Sequence, residues 1–154
     1  MNMADCMAFY AQAAKIDTRL PPKRIDEFDA WETELKDIPA LFAPHIFHEI
    51  YSEVQMLPLQ TGHVVKAWKV VKEKINAAIA RCKSFDRRVA DLELSGREDA
   101  EAYNALVEAH NTALDSLPVE VAAANGFERK EPVTVPGERK PAPAPAWFKS
   151  LRKG

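Results

Sequence analysis

A repeating apolar pattern through the middle of this chain restricts its fold more than any other feature of the sequence. The spacing of the apolar positions alternates between four and three residues, and neither proline nor glycine occurs between Val64 and Leu92. Residues three and four apart share one face of an α-helix, so the pattern predicts a long helix with a heptad seam. At about 1.5 Å per residue, a helix of roughly 30 residues extends roughly 45 Å. The seam consists of Val64, Trp68, Val71, Ile75, Ala78, Cys82, Phe85, Val89 and Leu92.

A second, shorter seam follows and predicts the element that covers the first. Residues 95–98 read Ser-Gly-Arg-Glu, the S-x-x-E form of a capping box that begins a helix. Two helices joined by a short polar turn fold back on each other. Residues 62–117 are therefore predicted to form an antiparallel helical hairpin with coiled-coil packing. The second seam consists of Tyr103, Leu106, His110, Ala113 and Leu117.

The distribution of charge supports this hairpin. Eight basic and two acidic residues lie between Lys66 and Arg88. The return segment from Glu98 to Asp115 instead carries five acidic residues and neither lysine nor arginine. Opposite charges on paired helices attract each other, so we expect ion pairs between the long helix and the return helix.

Three shorter apolar stripes at helical spacing occupy the N-terminal part of the chain, near residues 3–15, 25–35 and 46–54. The middle stripe comprises Ile25, Phe28, Trp31 and Leu35. Because the return helix is shorter than the long helix, these N-terminal helices are predicted to cover the remainder of the long seam. The predicted fold class is all-α. A small helical bundle with the long hairpin forms one domain over residues 1–117, with its N-terminal helices in residues 3–57.

The composition changes after Pro118, and residues 118–154 are predicted to be an extended, Pro-rich basic tail. Six of the eleven prolines lie in this tail, and no apolar periodicity spans it. Residues 127–132 and 137–141 form a degenerate repeat around Glu-Arg-Lys. Residues 141–145 alternate proline and alanine, which predicts a stiff polyproline spacer.

The tail ends in a short amphipathic peptide. In one helical turn its aromatic and leucine side chains would share a face ringed by basic residues. Tryptophan and arginine dominate interface energetics, so this peptide is predicted to dock on a protein partner and to order as it binds. The alternative is an unstructured solubilising tail, while a membrane anchor is not expected because one turn buries too little apolar area. The predicted partner-binding residues are Trp147, Phe148, Lys149, Leu151, Arg152 and Lys153.

The bulk composition narrows the class of protein. A formal net charge of −2 gives no overall attraction to nucleic acid or to an anionic membrane. Cys6 and Cys82 match no metal-binding or redox spacing, which favours a reducing compartment. The first residues lack the basic and apolar regions of a signal peptide, and no apolar run approaches the roughly 20 residues that span a bilayer. We expect a soluble cytoplasmic protein, or a virion protein in the case of a phage component.

One cluster has the residue types of a metal site. His45, His48 and Glu49 fall close together on a predicted helix, but zinc takes three or four ligands and a zinc-protease helix reads H-E-x-x-H. Polar residues flanking a buried apolar stripe are the preferred interpretation. No phosphate-binding or nucleophile motif occurs, and acidic pairs such as Asp26 and Glu27 fall on a face expected to be solvated. We predict no enzyme activity, no catalytic or metal-binding residue and no cofactor.

The basic long helix supports a different kind of partner. Its lysines and arginines could line the phosphates of a nucleic acid, with binding that weakens steeply in salt. Internal acidic partners, and the scarcity of aromatic residues among the lysines, make a nucleic acid less favoured than a protein. The candidate nucleic-acid-binding residues are Lys66, Lys69, Arg87 and Arg88.

Together these features predict a non-enzymatic assembly or adaptor protein that docks a partner through its C-terminal tail. A structural or accessory component of a bacteriophage particle, or of another multi-subunit complex, fits the small size, the helical arm and the docking tail. The alternative is a nucleic-acid-associated regulatory protein that uses the basic helix and the basic tail. An uncovered part of the heptad seam would also drive pairing between copies, so a homo-oligomer is a further alternative.

Overall fold

The computed structural model describes residues 1–52, 57–94 and 100–134 of the chain. These residues form α-helices joined by turns and two short 3-10 helices, and no β-strand occurs among them. The all-α prediction is therefore confirmed. The helices are α1 (Met3–Ala14), α2 (Phe28–Leu35), α3 (Ala43–Tyr51), α4 (Thr61–Lys83), α5 (Phe85–Leu94), α6 (Ala100–Asp115) and α7 (Val119–Ala124).

The beginning of the chain is fixed by hydrogen bonds at two helix ends. Asn2 caps α1 in a capping box with Asp5. The backbone N–H of each residue donates to the side-chain oxygen of the other, both at 2.9 Å. The buried Met1 ammonium donates to the carbonyl oxygen of Leu35 at 2.9 Å and also to that of Ile38. A positive charge is favourable at this position because the C-terminal end of α2 carries the negative end of its helix dipole.

An aromatic cluster joins α1 to α2. The rings of Tyr10, Phe28 and Trp31 contact one another edge to face, with centroids 5.4–6.1 Å apart. The Tyr10 hydroxyl donates to the carbonyl oxygen of Pro21 at 2.7 Å, which satisfies its polar end. Ile25 departs from the predicted stripe because it is 65% exposed. Residues 25–27 form a 3-10 turn before α2, so the period of the α-helix does not extend back to Ile25.

Helix α4 lies at the centre of the fold. All nine predicted seam residues are buried or partly buried, as the heptad pattern requires. Helices α2 and α3 pack against α4, and α6 packs against both α4 and α5. The partly buried Trp68 ring contacts the Phe42 ring at 4.9 Å, which extends the core beneath the turn before α3. The N-terminal helices thus contribute to covering the long seam, as predicted.

The predicted long helix is divided at Ser84. Helix α4 ends at Lys83, Ser84 is its C-cap, and α5 begins at Phe85. The hydrogen bonds from Ser84 N to Ala80 O and from Arg88 N to Ser84 O are both 3.0 Å, so the two helices remain nearly continuous. The Ser84 hydroxyl donates to Arg81 O at 3.0 Å. Such a side-chain bond competes with helical geometry, which accounts for the interruption.

Helix α6 runs antiparallel to α4 and α5, as the order of their contacts shows. The Phe85 ring lies 6.3 Å from Tyr103 and 4.9 Å from His110, whereas Val71 and Ile75 lie near Asp115. Rising numbers along α4 and α5 therefore meet falling numbers along α6. Coiled-coil packing of this pair stays a prediction, and the capping box at residues 95–98 lies outside the described residues.

The charged residues find partners that the sequence did not predict. Lys74 of α4 pairs with Glu49 of α3 at 2.5 Å, and Asp115 of α6 pairs with Arg129 at 2.6 Å. Arg129 belongs to the segment that follows α7, so Asp115 of the return helix pairs with the chain after it and not with the basic face of α4. No helix in the described ranges is both long enough and apolar enough to cross a bilayer.

Candidate functional site

After α7 the chain folds back and runs along the surface of α6. Gly126 adopts a φ of +66°, a left-handed conformation that glycine takes without strain, and it turns the chain at the end of α7. Phe127 then packs against the core. We call residues 127–133 the strap. Its order of contacts, from Asp115 near its beginning to Asn104 at its end, makes it antiparallel to α6.

Two asparagines of α6 hold the backbone of the strap. The Asn111 side chain accepts from Lys130 N and donates to Lys130 O, both at 2.9 Å. The Asn104 side chain accepts from Val133 N at 2.8 Å and donates to Val133 O at 2.9 Å. A carboxamide has one acceptor oxygen and a donor NH₂ group, so it matches the N–H and C=O groups of one extended residue.

The spacing of these four residues explains why both pairs form at once. Asn104 and Asn111 are one heptad apart, which separates them by about 10.5 Å along the helix. Lys130 and Val133 are three residues apart, which in an extended chain separates them by about 9–10 Å. The two distances agree closely, so an extended backbone is in register with this face of α6.

Side chains add three further contacts to the strap. His110 is only 3% exposed, and its Nε2 lies 2.9 Å from the carbonyl oxygen of Glu128. The Arg129 guanidinium contacts both carboxylate oxygens of Asp115, at 2.6 and 2.7 Å. The Lys130 ammonium lies over the Phe85 ring, 5.3 Å from its centroid, which is a cation–π geometry. The strap is thus held by backbone, charge and aromatic contacts together.

The strap was not predicted, although the sequence of α6 carries a signal for it. Asparagine disfavours helix interiors because its side chain competes for backbone hydrogen bonds. Two asparagines one heptad apart in α6 therefore indicate that this face bonds to something outside the helix. His110 was placed correctly on the buried seam, but its contact with Glu128 requires the tertiary fold.

The cluster of His45, His48 and Glu49 lines a groove between α3, α4 and the end of α6. This groove has a volume of about 510 Å³ and is lined by His45, His48, Glu49, Val71 and Ile75, among others. In the described part of the chain, no three His, Cys, Asp or Glu residues are arranged to hold a metal ion. The structure brings His45, His48 and Glu49 to one groove.

The carboxylates of Glu49 and Asp115 in the groove are both engaged in ion pairs. Glu49 pairs with Lys74, which also lines the groove, and Asp115 pairs with Arg129, which does not. The Ser116 hydroxyl donates to the carbonyl oxygen of Ala113 at 2.7 Å. The buried Nδ1 of His45 has no hydrogen-bond partner among the described residues. A nucleophile paired with a base, which covalent catalysis needs, is not found in the groove as described.

The candidate nucleic-acid-binding residues are all exposed. Lys66 and Lys69 lie on α4, and Arg87 and Arg88 lie on α5. Within the described ranges, none of the four has a carboxylate at ion-pair distance. Lys69 and Arg87 are about five helical turns apart and share one face. In the described part of the chain, Lys74 of α4 pairs with a carboxylate, but that partner, Glu49, belongs to α3 and not to the return helix from which the charge distribution predicts ion pairs.

The docking peptide of the predicted tail, residues 147–153, lies outside the described residues. The structure follows the chain as far as Thr134, just beyond the bonds between Val133 and Asn104. No protein-family profile, curated protein or solved structure matches the chain.

Proposed function

We propose that this chain is a non-enzymatic assembly or adaptor protein that grips a protein partner through its C-terminal peptide. The helical body serves as a rigid support, and the residues that follow the strap carry the docking peptide. The partner-binding residues in this proposal are Trp147, Phe148, Lys149, Leu151, Arg152 and Lys153.

The single observation that carries the proposal is the attachment of the strap to α6. An extended segment with little apolar burial has no intrinsic reason to stay on a helix, because ordering its backbone costs conformational entropy. Here seven residues are fixed by two complete amide pairs, an ion pair and a cation–π contact. Such an attachment fixes the point from which the remaining tail departs, which favours binding by reducing the freedom lost on docking.

The chemistry of the groove supports the non-enzymatic part of the proposal. Its carboxylates are engaged in ion pairs with Lys74 and Arg129, and Ser116 bonds to a backbone carbonyl. General acid–base or nucleophilic catalysis needs such groups within reach of each other. The described groove instead resembles a surface depression between packed helices.

The setting that we propose is a multi-subunit complex such as a bacteriophage particle, with the protein cytoplasmic before assembly. Small size, a helical arm and a tail with a terminal aromatic peptide are the features that support this setting. Coiled-coil packing of α6 against α4 and α5 is part of the same proposal, and pairing between copies of the chain is an alternative.

The test compares affinity capture by the full chain with capture by a triple variant, Trp147→Ala, Phe148→Ala and Leu151→Ala. We expect the wild type to retain a partner, identified by mass spectrometry, that the triple variant loses. The matched control, Val119→Ala, removes a hydrophobic side chain that is 79% exposed on α7, and it should retain that partner. Equal retention by the triple variant would refute docking through the tail.

A second candidate function, nucleic-acid-associated regulation, is favoured by four exposed basic residues of α4 and α5 that have no carboxylate at ion-pair distance within the described ranges. Lysine and arginine side chains without internal partners are available to phosphates, and each phosphate contact adds to the salt dependence of binding. The expected site comprises Lys66, Lys69, Arg87 and Arg88, with the basic tail beside it.

Fluorescence anisotropy with labelled duplex DNA and single-stranded RNA tests this candidate. Reversing the four residues to glutamate should abolish binding if they form the site. Reversing Lys15 and Lys36, which are exposed on the N-terminal helices, should change it little. Binding that is absent at low salt, or that survives the fourfold reversal, excludes the basic face as a nucleic-acid site.

A further inference from the structure

We propose that α6 carries a binding site for an extended peptide containing Arg-Lys, which the strap fills from within the same chain. The partner we infer is a protein that supplies such a segment in place of residues 128–133. This inference concerns α6 and does not depend on the proposed docking through residues 147–153.

The site reads the peptide backbone at two positions. Asn111 and Asn104 each bond to both the N–H and the C=O of one residue, at 2.8–2.9 Å. Proline lacks the N–H group, so a ligand must have residues other than proline at the positions of Lys130 and Val133. Neither asparagine bonds to the residue at position 132, and the strap has proline there.

The site also selects side chains. Both carboxylate oxygens of Asp115 accept from one nitrogen, Nη2, of Arg129, at 2.6 and 2.7 Å, so the site selects a cationic side chain at position 129. The Phe85 ring accepts the cation at position 130. The buried His110 reaches the carbonyl oxygen at position 128 from beneath the peptide. The ligand is therefore an extended basic segment that contains Arg-Lys. Proline is tolerated at its position 132, three residues after the arginine.

The limited burial of the strap indicates that another segment could replace it. Only Phe127 and Lys130 are partly buried within residues 127–134, and the other residues are exposed. Hydrogen bonds to exposed or partly exposed groups each contribute only about 1 kcal/mol net. The strap therefore stays in place largely because it is attached to α7, which keeps its local concentration high.

The sequence contains another Arg-Lys segment, which allows the requirement for an N–H group at the position of Val133 to be tested. Arg139 and Lys140 repeat the pair, but position 143, three residues after Lys140, is proline. A peptide of residues 137–144 would therefore lack the N–H group that Asn104 requires. We expect it to bind at least about tenfold more weakly than a peptide of residues 127–134, and Pro143→Val in that peptide should restore binding.

The experiment uses the full chain with Lys130→Pro and Val133→Pro. These substitutions remove the two N–H groups that donate to Asn111 and Asn104, and they are designed to release the strap from the site. We call this variant the emptied chain. A labelled synthetic peptide of residues 127–134 should bind this emptied chain, measured by fluorescence anisotropy. The wild type should bind it at least about tenfold more weakly, because its strap competes. The same peptide with N-methyl groups at positions 130 and 133 should lose at least about tenfold in affinity.

Asparagine variants of the emptied chain locate the binding. Asn104→Ala with Asn111→Ala should remove peptide binding, whereas the matched control Asn76→Ala, exposed on α4, should preserve it. Equal binding of the N-methylated peptide, or no binding to an emptied chain with wild-type circular dichroism, overturns the proposal. Wild-type dimers that the double asparagine variant fails to form would assign the site to a second copy and overturn the inferred partner.

A measurement on the unaltered strap covers the case in which the emptied chain does not fold. In hydrogen exchange, the amides of Lys130 and Val133 should be protected and that of Glu131 should not. Asn104→Ala with Asn111→Ala should lower this protection at least about tenfold. Protection that is uniform along the strap, or unchanged in the double variant, overturns backbone reading by α6.

Discussion

Among single residues, Asp17 shows how a charge is accommodated inside this small protein. Its side chain is 7% exposed, and it accepts from Arg19 Nε at 2.8 Å, from Arg19 Nη2 at 3.0 Å and from the Arg19 backbone N–H at 3.1 Å. The side-chain hydrogen bond from Arg19 holds the pKa of Asp17 below its ordinary value of 3.8, despite the opposing effect of burial. The ionised form of Asp17 therefore stabilises the fold.

Asp17→Asn should lower the melting temperature at neutral pH, because it removes the charge that Arg19 binds. A lowered folded pKa means that the stability from Asp17 is complete above its ordinary pKa of 3.8 and is lost as the pH falls through the folded pKa. The difference between wild type and variant should therefore shrink in acid. Thermal unfolding from pH 7 downward measures it. Asp26→Asn is the control, since the Asp26–Arg24 pair is exposed and such pairs contribute little.

The two cysteines should be unreactive in the folded protein. Burial raises the pKa of both the Cys6 and Cys82 thiols, and alkylation requires an accessible thiolate. Iodoacetamide should modify each at least about a hundredfold more slowly than a thiol introduced by Ala77→Cys at an exposed position of α4. Mass spectrometry with peptide mapping gives the rates. Modification of either native thiol at the rate of the control would contradict its burial.

Individual residues were predictable where burial follows a period, and not where a polar side chain bonds to a distant part of the chain. The seam residues from Val64 to Leu92 are buried or partly buried, as their spacing predicts. Asn104 and Asn111 bond to Val133 and Lys130, which lie 29 and 19 residues further along the chain, and no local period specifies these partners. Asp17 instead bonds to Arg19, only two residues away, but its burial was not predicted because burial depends on the tertiary packing.

At the scale of the elements, the pairing of α4 and α5 with α6 depends on a continuous apolar face. Ile75→Asp or Phe85→Asp should each lower the free energy of unfolding by at least about 3 kcal/mol, because an unpaired carboxylate would replace a buried hydrophobic group. Both positions are nine-tenths buried. Urea denaturation followed by circular dichroism measures the change.

The control for this seam is Lys72→Glu, at an exposed position on α4. Reversal of a surface charge away from the core should change the free energy of unfolding by no more than about 0.5 kcal/mol. If Ile75→Asp costs no more than Lys72→Glu, the seam does not hold the helices together.

Most elements were predictable from the sequence, but α7 and the joints between helices were not. Residues 119–124, which fall in the segment predicted to be an extended tail, form α7, and Val121 and Ala122 pack against the core. The single helix predicted across residues 64–92 is interrupted at Ser84, where the hydroxyl bonds to the carbonyl of Arg81. The apolar period passes through this joint unchanged, so the pattern does not reveal it. Likewise the stripe that begins at Ile25 is α-helical only from Phe28, because residues 25–27 form a 3-10 helix.

At the scale of the whole molecule, no apolar periodicity spans the Pro-rich sequence after Pro118. We therefore expect deletion of residues 141–154 to leave the helical circular dichroism and the melting temperature unchanged. Deletion from residue 127 should lower the melting temperature, because it removes Phe127 from the core and the strap from α6. Thermal unfolding of the two truncated chains beside the full chain makes the comparison. A fall in melting temperature with the shorter deletion would show that residues 141–154 contribute to the stability of the body.

The sequence by itself determined the helical class, the burial of the α4–α5 seam and the change of composition after Pro118. These properties depend on local spacing and residue type, since a helix face is set by periods of three and four residues. Only the tertiary structure decided that residues 127–133 return along α6, and that Asp115 binds Arg129 rather than the basic helix. The reason is that a side-chain amide or carboxylate bonds to whichever group the fold brings close to it. A local period of three or four residues does not specify which distant groups become neighbours.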